Sequence, residues 1–248
     1  PLFLMETPIV TTNVASAEMI KYASNAFLAT KVSFINEIAE ICERVGADVH
    51  HVAKGMGLDR RIGSKFMHPG PGYGGSCFPK DTRALVEIAK ANDYEIRIVK
   101  AVLEVNDQRR EAMVGKVRSL LPDLEGKKIA ALGLSFKPNT DDVRDSPAID
   151  ICRKLRSAGA RLRVFDPAAM DETRRELGEE NVYYATDTYD TIEGADLLLL
   201  LTEWNQFRKL DLLRLKSLLT SPKMVDCRNV YEPRLMKEAG FEYLSVGR

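Results

Sequence analysis

The sequence predicts an α/β protein in two parts, an all-helical part followed by a doubly wound parallel sheet with helices on its faces. Three observations carry this. Apolar residues recur at helical spacing over 17–45 and again over 96–121. Past Pro122 the pattern changes to short apolar runs at 129–132, 162–165 and 197–201, separated by amphipathic stretches. Short buried strands alternating with helices imply a parallel sheet. The change of pattern puts the domain break between residues 1–122 and 123–248.

Taken in order, Ser16 reads as the N-cap of the first helix, with Glu18 in its first turn and Gly46 as its stop. Ile20, Phe27, Leu28, Val32, Ile35, Ile38 and Cys42 supply the apolar positions from Ala17 to Val45. At 1.5 Å per residue the helix is on the order of 45 Å long. That exceeds what one small core needs and suggests a domain spine or a dimer seam. Lys21 and Asn25 are four apart and share one of its faces; on the residues alone, an ordinary solvated face is the favoured explanation. Two short helices are expected at 47–54 and 60–66, around Gly55-Met56-Gly57. Before all of these, Pro1 to Met5 lacks an initiator, and Ile9-Val10 reads as the end of a strand already under way, so a fragment is expected.

The chemistry concentrates in Gly70-Pro71-Gly72-Tyr73-Gly74-Gly75-Ser76-Cys77-Phe78-Pro79-Lys80-Asp81. Four of its first six residues are glycine, which lets the backbone pass close to something else. Pro79 suits a first helical turn, so Cys77 falls at the head of a helix running on to Ala91, with Lys80 near it. A helix N-terminus and a neighbouring cation both favour a thiolate. A small buried thiol is the competing reading, and it fits Cys42, Cys152 and Cys227. Gly70, Gly72 and Gly75 match G-x-G-x-x-G literally, but no apolar strand precedes them and prolines stand at 69 and 71, so the dinucleotide reading fails.

In the second half, the strand 127–133 ends in Gly133, a loop spans 134–146, and a helix is expected from Pro147 to Ala158. Strands follow at 162–167, 182–183, 196–201 and 224–226. Ligands of such sheets sit beyond the carboxyl ends of the strands. Those ends carry Lys137, Asp166, Thr202-Glu203-Trp204 and Arg228. Lys137 and Arg228 suit phosphate, while Asp166 reads equally as a ligand group or as loop surface.

Thirty-six basic residues balance 36 acidic ones, so no field favours nucleic acid or an anionic membrane. No apolar run approaches the roughly 20 residues of a membrane span. The four cysteines show no CxxC spacing and His50, His51 and His68 no ligand spacing, so no metal site is expected. The expectation from composition is a soluble protein of the cytoplasm.

G-Y-G-G-S-C-F-P-K-D (72–81) resembles the catalytic-cysteine motif of the UDP-glucose/GDP-mannose dehydrogenase family. K-Y-A-S-N-A-F-L-A-T-K (21–31) is similar to the start of that family's central helix, and G-L-S-F-K-P-N-T-D-D-V-R-D-S-P (133–147) to the opening of its UDP-binding domain. The resemblance covers nearly the whole chain, but only the family's central and C-terminal parts. R-R-I-G-S-K-F-M (60–67) looks closer to the UDP-glucose branch.

The resemblance implies a helical dimerisation domain, a Rossmann-like UDP-binding domain, and a preceding NAD domain lying outside this chain, which would leave the fragment inactive alone. It implies oxidation of UDP-glucose to UDP-glucuronate with NAD, through a thiohemiacetal and a thioester on Cys77. Lys21 and Asn25 would serve catalysis and substrate binding, and Asp81 proton transfer or water activation. Tyr73, Gly74, Phe136, Lys137 and Arg228 would contact substrate, and Arg61 the substrate of the other subunit of a homodimer seamed by the 17–45 helix. Lys80 and Arg144 would contact NAD. His68 stands where many members have lysine. The competing functions are a non-catalytic UDP-sugar-binding or dimerisation module, and an oxidase of GDP-mannose or a UDP-N-acetylhexosamine.

Overall fold

The computed structural model describes residues 9–248. The expected strand end at Ile9-Val10 is not a strand; both side chains are exposed and neither residue joins the sheet. The reading made on Pro1 to Met5 lies outside the described residues.

Helix α1 runs Val14–Val45, 32 residues or about 48 Å. Its true cap is Asn13, whose extended backbone lets the side chain accept the Ser16 N–H at 2.8 Å. The helix therefore starts three residues before the expected Ala17, and Ser16 lies inside it. Gly46 ends it in the left-handed conformation at φ 71°. Helix α2 (Val49–Gly57) is likewise set by a cap, Asp48, which takes the His50 N–H at 2.7 Å.

No helix forms over 60–66. Asp59 accepts the Arg61 N–H at 2.9 Å in a local turn, and Gly63 and Phe66 both sit at positive φ. Such side-chain-to-backbone bonds compete with a helix. Helices α3 (Phe78–Ala91) and α4 (Arg97–Leu120) follow. They close on α1 through two small clusters, Ala26–Leu85–Val99 and Ala29–Tyr73–Val102.

The second half alternates as the spacing predicts: β1 (Lys128–Leu132), α5 (Pro147–Ser157), β2 (Arg161–Phe165), α6 (Met170–Leu177), β3 (Val182–Tyr184), α7 (Thr188–Ile192), β4 (Leu197–Leu200), a 3-10 turn (Asn205–Lys209), α8 (Leu212–Leu218) and β5 (Lys223–Asp226). Helix α9 (Pro233–Glu238) and a short edge strand β6 (Glu242–Leu244) complete it, and neither was expected. The six strands are all parallel in the order β3-β2-β1-β4-β5-β6. The order reverses between β1 and β4, so the crevice of a doubly wound sheet lies beyond their carboxyl ends.

Both faces of the sheet are buried, which is why its central strands read as unbroken apolar runs rather than alternating ones. Ile129 and Ala131 face a core shared with α4, α5 and α6, while Ala130 and Leu132 face one shared with α7, α8 and α9. The first core also contains Ile35 and Ala39 of α1, so apolar packing is continuous across residues 122 and 123.

Gly133 marks the switch point. It sits at φ 86°, and a Cβ there would lie 2.6 Å from Thr202 Cβ. Gly133→Ala should therefore cost roughly 2–4 kcal/mol, combining backbone strain with overpacking. Urea unfolding should show a lowered midpoint with an unchanged slope.

Candidate active site

The site is built where α1, the head of α3 and the loop after β1 converge. Cys77 is the residue before the first turn of α3, and Pro79 occupies that turn without a lost hydrogen bond. Cys77 is exposed, with Ser76 Oγ 3.6 Å from its sulfur. The other three thiols are buried, and burial pushes Cys152 and Cys227 up to about 12.

One turn into α3, Asp81 is almost wholly buried against α1, with a side chain 2% exposed. One carboxylate oxygen accepts from Asn25 Nδ2 and the other pairs with Lys80. Burial alone would raise the pKa of this carboxyl. Hydrogen bonds from Lys80 and Asn25, with the charges of Lys80 and Lys21, outweigh it and hold the group below its ordinary value. The same bond raises Lys80. Lys21, exposed one turn before Asn25, is thus close enough to act on this carboxylate.

The glycine loop passes where side chains cannot. A Cβ on Gly72 would lie 2.7 Å from Asn106 Oδ1, one on Gly74 2.4 Å from the Asp145 carbonyl, and one on Gly75 2.8 Å from the Phe136 ring. Gly75 N–H donates to the Arg144 carbonyl at 2.8 Å, joining the glycine loop to the loop after β1. Arg144 is exposed and held bidentate by Asp142. The head of α3 therefore meets the loop after β1 with one exposed cation from each half of the chain, Lys80 and Arg144.

Lys137 is exposed, its ammonium 5.3 Å from the centroid of the Phe136 ring. Arg228 follows β5 and ties three elements together, donating to the Leu201 carbonyl at 2.9 Å and the Phe136 carbonyl at 3.3 Å and pairing with Glu203. A Cβ on Gly70 would lie 3.1 Å from its Nη1. Arg228 and Phe136 therefore lie against the glycine loop at Gly70 and Gly75, with Lys137 over the Phe136 ring, while Asn25, Lys80 and Asp81 gather at the head of α3.

Two further expected residues stand apart from this group. The ring of Tyr73 is buried in the cluster with Ala29 and Val102, 5.9 Å from Phe78 edge to face, so it faces the core. Arg61 is exposed and forms a bidentate pair with Asp59, away from the other site residues. His68 is exposed beside a groove lined by His50, Lys54 and Met67.

Asp166, which the sequence left open, is buried and fully engaged. It accepts from the backbone N–H groups of Leu134 and Ser135 at 2.8 and 2.9 Å, from those of Ala168 and Ala169 at 2.9 Å each, and from the Ser135 hydroxyl at 2.8 Å. It shapes the loop that carries Phe136 and Lys137. An acidic residue free to take a ribose is the mark of a dinucleotide cradle, and this sheet does not offer one. Asp226 does the same at the end of β5, accepting from the N–H groups of Arg228, Val230 and Tyr231 and from the Tyr243 hydroxyl. Burial raises its pKa against those bonds. Sequence reasoning missed both roles, together with Asn36, Asn106 and Arg109, which hold the glycine loop from beneath.

Residues 15–108 match the profile of the UDP-glucose/GDP-mannose dehydrogenase family, central domain, and residues 130–233 that of the same family's UDP binding domain. Over 249 residues the chain is 53% identical to a UDP-glucose 6-dehydrogenase of Rhizobium meliloti, covering all of this chain and 56% of that protein. It is 50% identical to the UDP-glucose 6-dehydrogenase TuaD of Bacillus subtilis, covering 97% of this chain and 52% of that one. The chain spans about half the length of the curated relatives it matches. Among solved structures it is similar to a UDP-glucose dehydrogenase from Pyrobaculum islandicum, with TM-score 0.87 and 38% identity over 94% of this chain and 52% of that one. A UDP-D-ManNAc dehydrogenase from Pyrococcus horikoshii aligns with TM-score 0.84 and 25% identity, over 98% of this chain and 54% of the other.

Brief treatment with iodoacetamide at neutral pH, mapped by peptide, should label Cys77 alone. Exposure and thiolate formation both decide the rate, and Cys152 and Cys227 lack both. Equal labelling of any buried cysteine would remove the case for Cys77 as the reactive thiol.

Proposed function

The chain belongs to the UDP-glucose/GDP-mannose dehydrogenase family, and on that premise we propose that it carries the thiol and the UDP-sugar site of an NAD-dependent UDP-glucose 6-dehydrogenase. In this reading residues 1–122 form the dimerisation domain with the catalytic loop, and 123–248 the UDP-sugar-binding domain. The observation that carries it is the single exposed thiol, Cys77, at the head of α3 and one turn from a buried Asn25–Asp81 pair.

The residues here fit one side of a cofactor: Lys80 and Arg144 are exposed cations, one from each half of the chain, suited to an anionic dinucleotide. When bound, NAD supplies the hydride acceptor for both oxidations. The chain's own groups do the rest. Lys137 and Arg228 meet the diphosphate beside the backbone of Gly74, and Phe136 packs on the substrate. The Cys77 sulfur adds to the C6 aldehyde, forming a C–S bond while the carbonyl oxygen takes a proton. That gives the tetrahedral centre a second oxidation needs.

Lys21, with Asn25, stabilises the oxyanion. After the second oxidation, water attacks the thioester, the C–S bond breaks, and carboxylate and thiol are released. A carboxyl held below its ordinary value is a weak base at neutral pH. Asp81 therefore orients Asn25 and Lys80 toward the attacking water rather than storing a proton. Arg61, exposed and outside this chain's own site, completes the site of the partner subunit.

The homodimer is supported by α1. Ile20, Phe27, Phe34 and Ile41 recur every seven residues and are 52, 65, 45 and 54% exposed. A seven-residue apolar repeat left open to solvent is the pattern of a helix seam. Sedimentation at micromolar concentration should show a dimer, and the double variant Phe27→Glu, Phe34→Glu a monomer. A wild-type monomer would discard the seam and the cross-subunit role of Arg61 together.

Calorimetry on this chain should show UDP and UDP-glucose binding more tightly than GDP, with Arg228→Ala weakening both by about 1.5–3 kcal/mol through a lost charged hydrogen bond. With protein expressed from the whole gene, NADH absorbance should follow UDP-glucose, ahead of GDP-mannose and UDP-N-acetylmannosamine. Cys77→Ser should stall short of the acid. Full turnover to UDP-glucuronate by that variant would sink the thioester route.

A further inference from the structure

Beneath the glycine loop lie three polar side chains that neither the mechanism nor the sequence pattern used. Asn36 on α1 and Asn106 and Arg109 on α4 are 1, 4 and 3% exposed. All three are aimed at the loop's backbone. Asn36 Oδ1 accepts the Gly70 N–H at 2.8 Å, and Arg109 Nε donates to the Gly70 carbonyl at 2.8 Å. Asn106 makes a two-point contact with one residue, accepting the Tyr73 N–H at 2.8 Å and donating to the Tyr73 carbonyl at 3.2 Å. Arg109 is itself paired with Glu40 of α1, so both helices grip the loop at one point.

Burying an amide or a guanidinium costs free energy that its hydrogen bonds only about repay, and apolar residues of similar volume would pack as stably. What the polar set adds is a fixed place for the backbone. Tyr73 is four residues from Cys77, and on the far side Asp81 is fixed to α1 by Asn25. Between these anchors Gly75 is bonded to the Arg144 carbonyl and lies against Phe136. The Tyr73 clamp is thus the support on the near side of the short segment that ends at Cys77, and losing it frees that side of the segment.

We propose that Asn36, Asn106 and Arg109 are positioning residues that hold the glycine loop so that the Cys77 thiol keeps its fixed place at the head of α3. The proposal rests on Cys77 being the reactive thiol of the reading above, and it adds to that reading the residues that aim it.

The test is the rate of Cys77 alkylation by iodoacetamide at one fixed neutral pH, measured in Asn106→Ala and Asn36→Ala. A matched lesion serves as control: Ser33→Ala removes a buried α1–α4 hydrogen bond, Ser33 Oγ to the Val102 carbonyl at 3.3 Å, with no hydrogen bond to the loop. The loop variants should change that rate severalfold as the thiol loses its fixed place. In protein from the whole gene they should lower kcat by on the order of a hundredfold, with KM for UDP-glucose little changed. Ser33→Ala should lose comparable stability and move neither. Should Asn106→Ala not fold, Asn106→Asp keeps the size and the acceptor for Tyr73 N–H, loses the donor, and carries the same expectation.

An unchanged alkylation rate in both loop variants, or an equal change in Ser33→Ala, overturns the proposal. Alkylation needs neither substrate nor cofactor, which separates the two ideas. A changed rate without any UDP-sugar turnover keeps the clamp and discards the activity. An unchanged rate in an active enzyme does the reverse.

Discussion

The structure turns on a length of backbone whose glycines have no room for side chains. From Gly70 to Gly75 the chain runs between α4 beneath, the loop after β1 above, and Arg228 at the side, at separations that a Cβ would violate at Gly72, Gly74 and Gly75. Glycine is required there because other parts of the protein come close, apart from any ligand. The approach joins two halves of different architecture. The helical half delivers Cys77, Lys80 and Asp81, and the sheet half delivers Phe136, Lys137, Arg144 and Arg228. The Gly75–Arg144 backbone bond and the Arg228 bonds hold them in one frame. The apolar core continuous from Ile35 and Met113 to Ile129 and Val225 makes the frame rigid.

Within that frame the charges sort by burial. The cations Lys21, Lys80, Lys137 and Arg144 all stand in solvent, while the carboxylate that organises two of them, Asp81, is buried. Burial opposes ionisation of Asp81, and donors on both oxygens reverse the balance. A buried charge left without those donors would cost several kcal/mol, so Asn25 and Lys80 are required by Asp81 before any substrate arrives. The buried carboxylate is thereby matched from within the protein, and the exposed charges beside it are cationic, Lys21 and Lys80.

Much of this was legible in the sequence, for identifiable reasons. The break after α4, the strand runs and the helix behind Cys77 were readable because periodicity and proline placement report burial directly. Errors fell where a single side chain sets a boundary. Asn13 and Asp48 cap α1 and α2 earlier or later than the apolar pattern indicated, and Asp59 with Gly63 turned an expected helix into turns. Strand β6 escaped because three residues at a sheet edge carry almost no pattern. Asn36, Asn106 and Arg109 were invisible because polar residues at helical spacing read as a solvated face. Only the fold shows that the loop lies over them.

Asp166 illustrates why one fold can serve different ligands. In a doubly wound sheet that binds a dinucleotide, an acid after the second strand is free to take ribose hydroxyls, and a short glycine turn leaves the helix N-terminus open to the diphosphate. Here the first connection is long, from Gly133 to Ser146, and its start needs partners for its own N–H groups. Asp166 supplies them, together with Ala168 and Ala169, and Trp204 closes over the carboxylate. The acid that would select ribose is consumed in shaping a loop. The cations at the strand ends are Lys137, which lies on the loop that Asp166 fixes, and Arg228, which donates to that loop and pairs with Glu203. One buried carboxylate thus withdraws itself from ligand recognition and at the same time sets the place of the two cations on which the proposed UDP-sugar site relies.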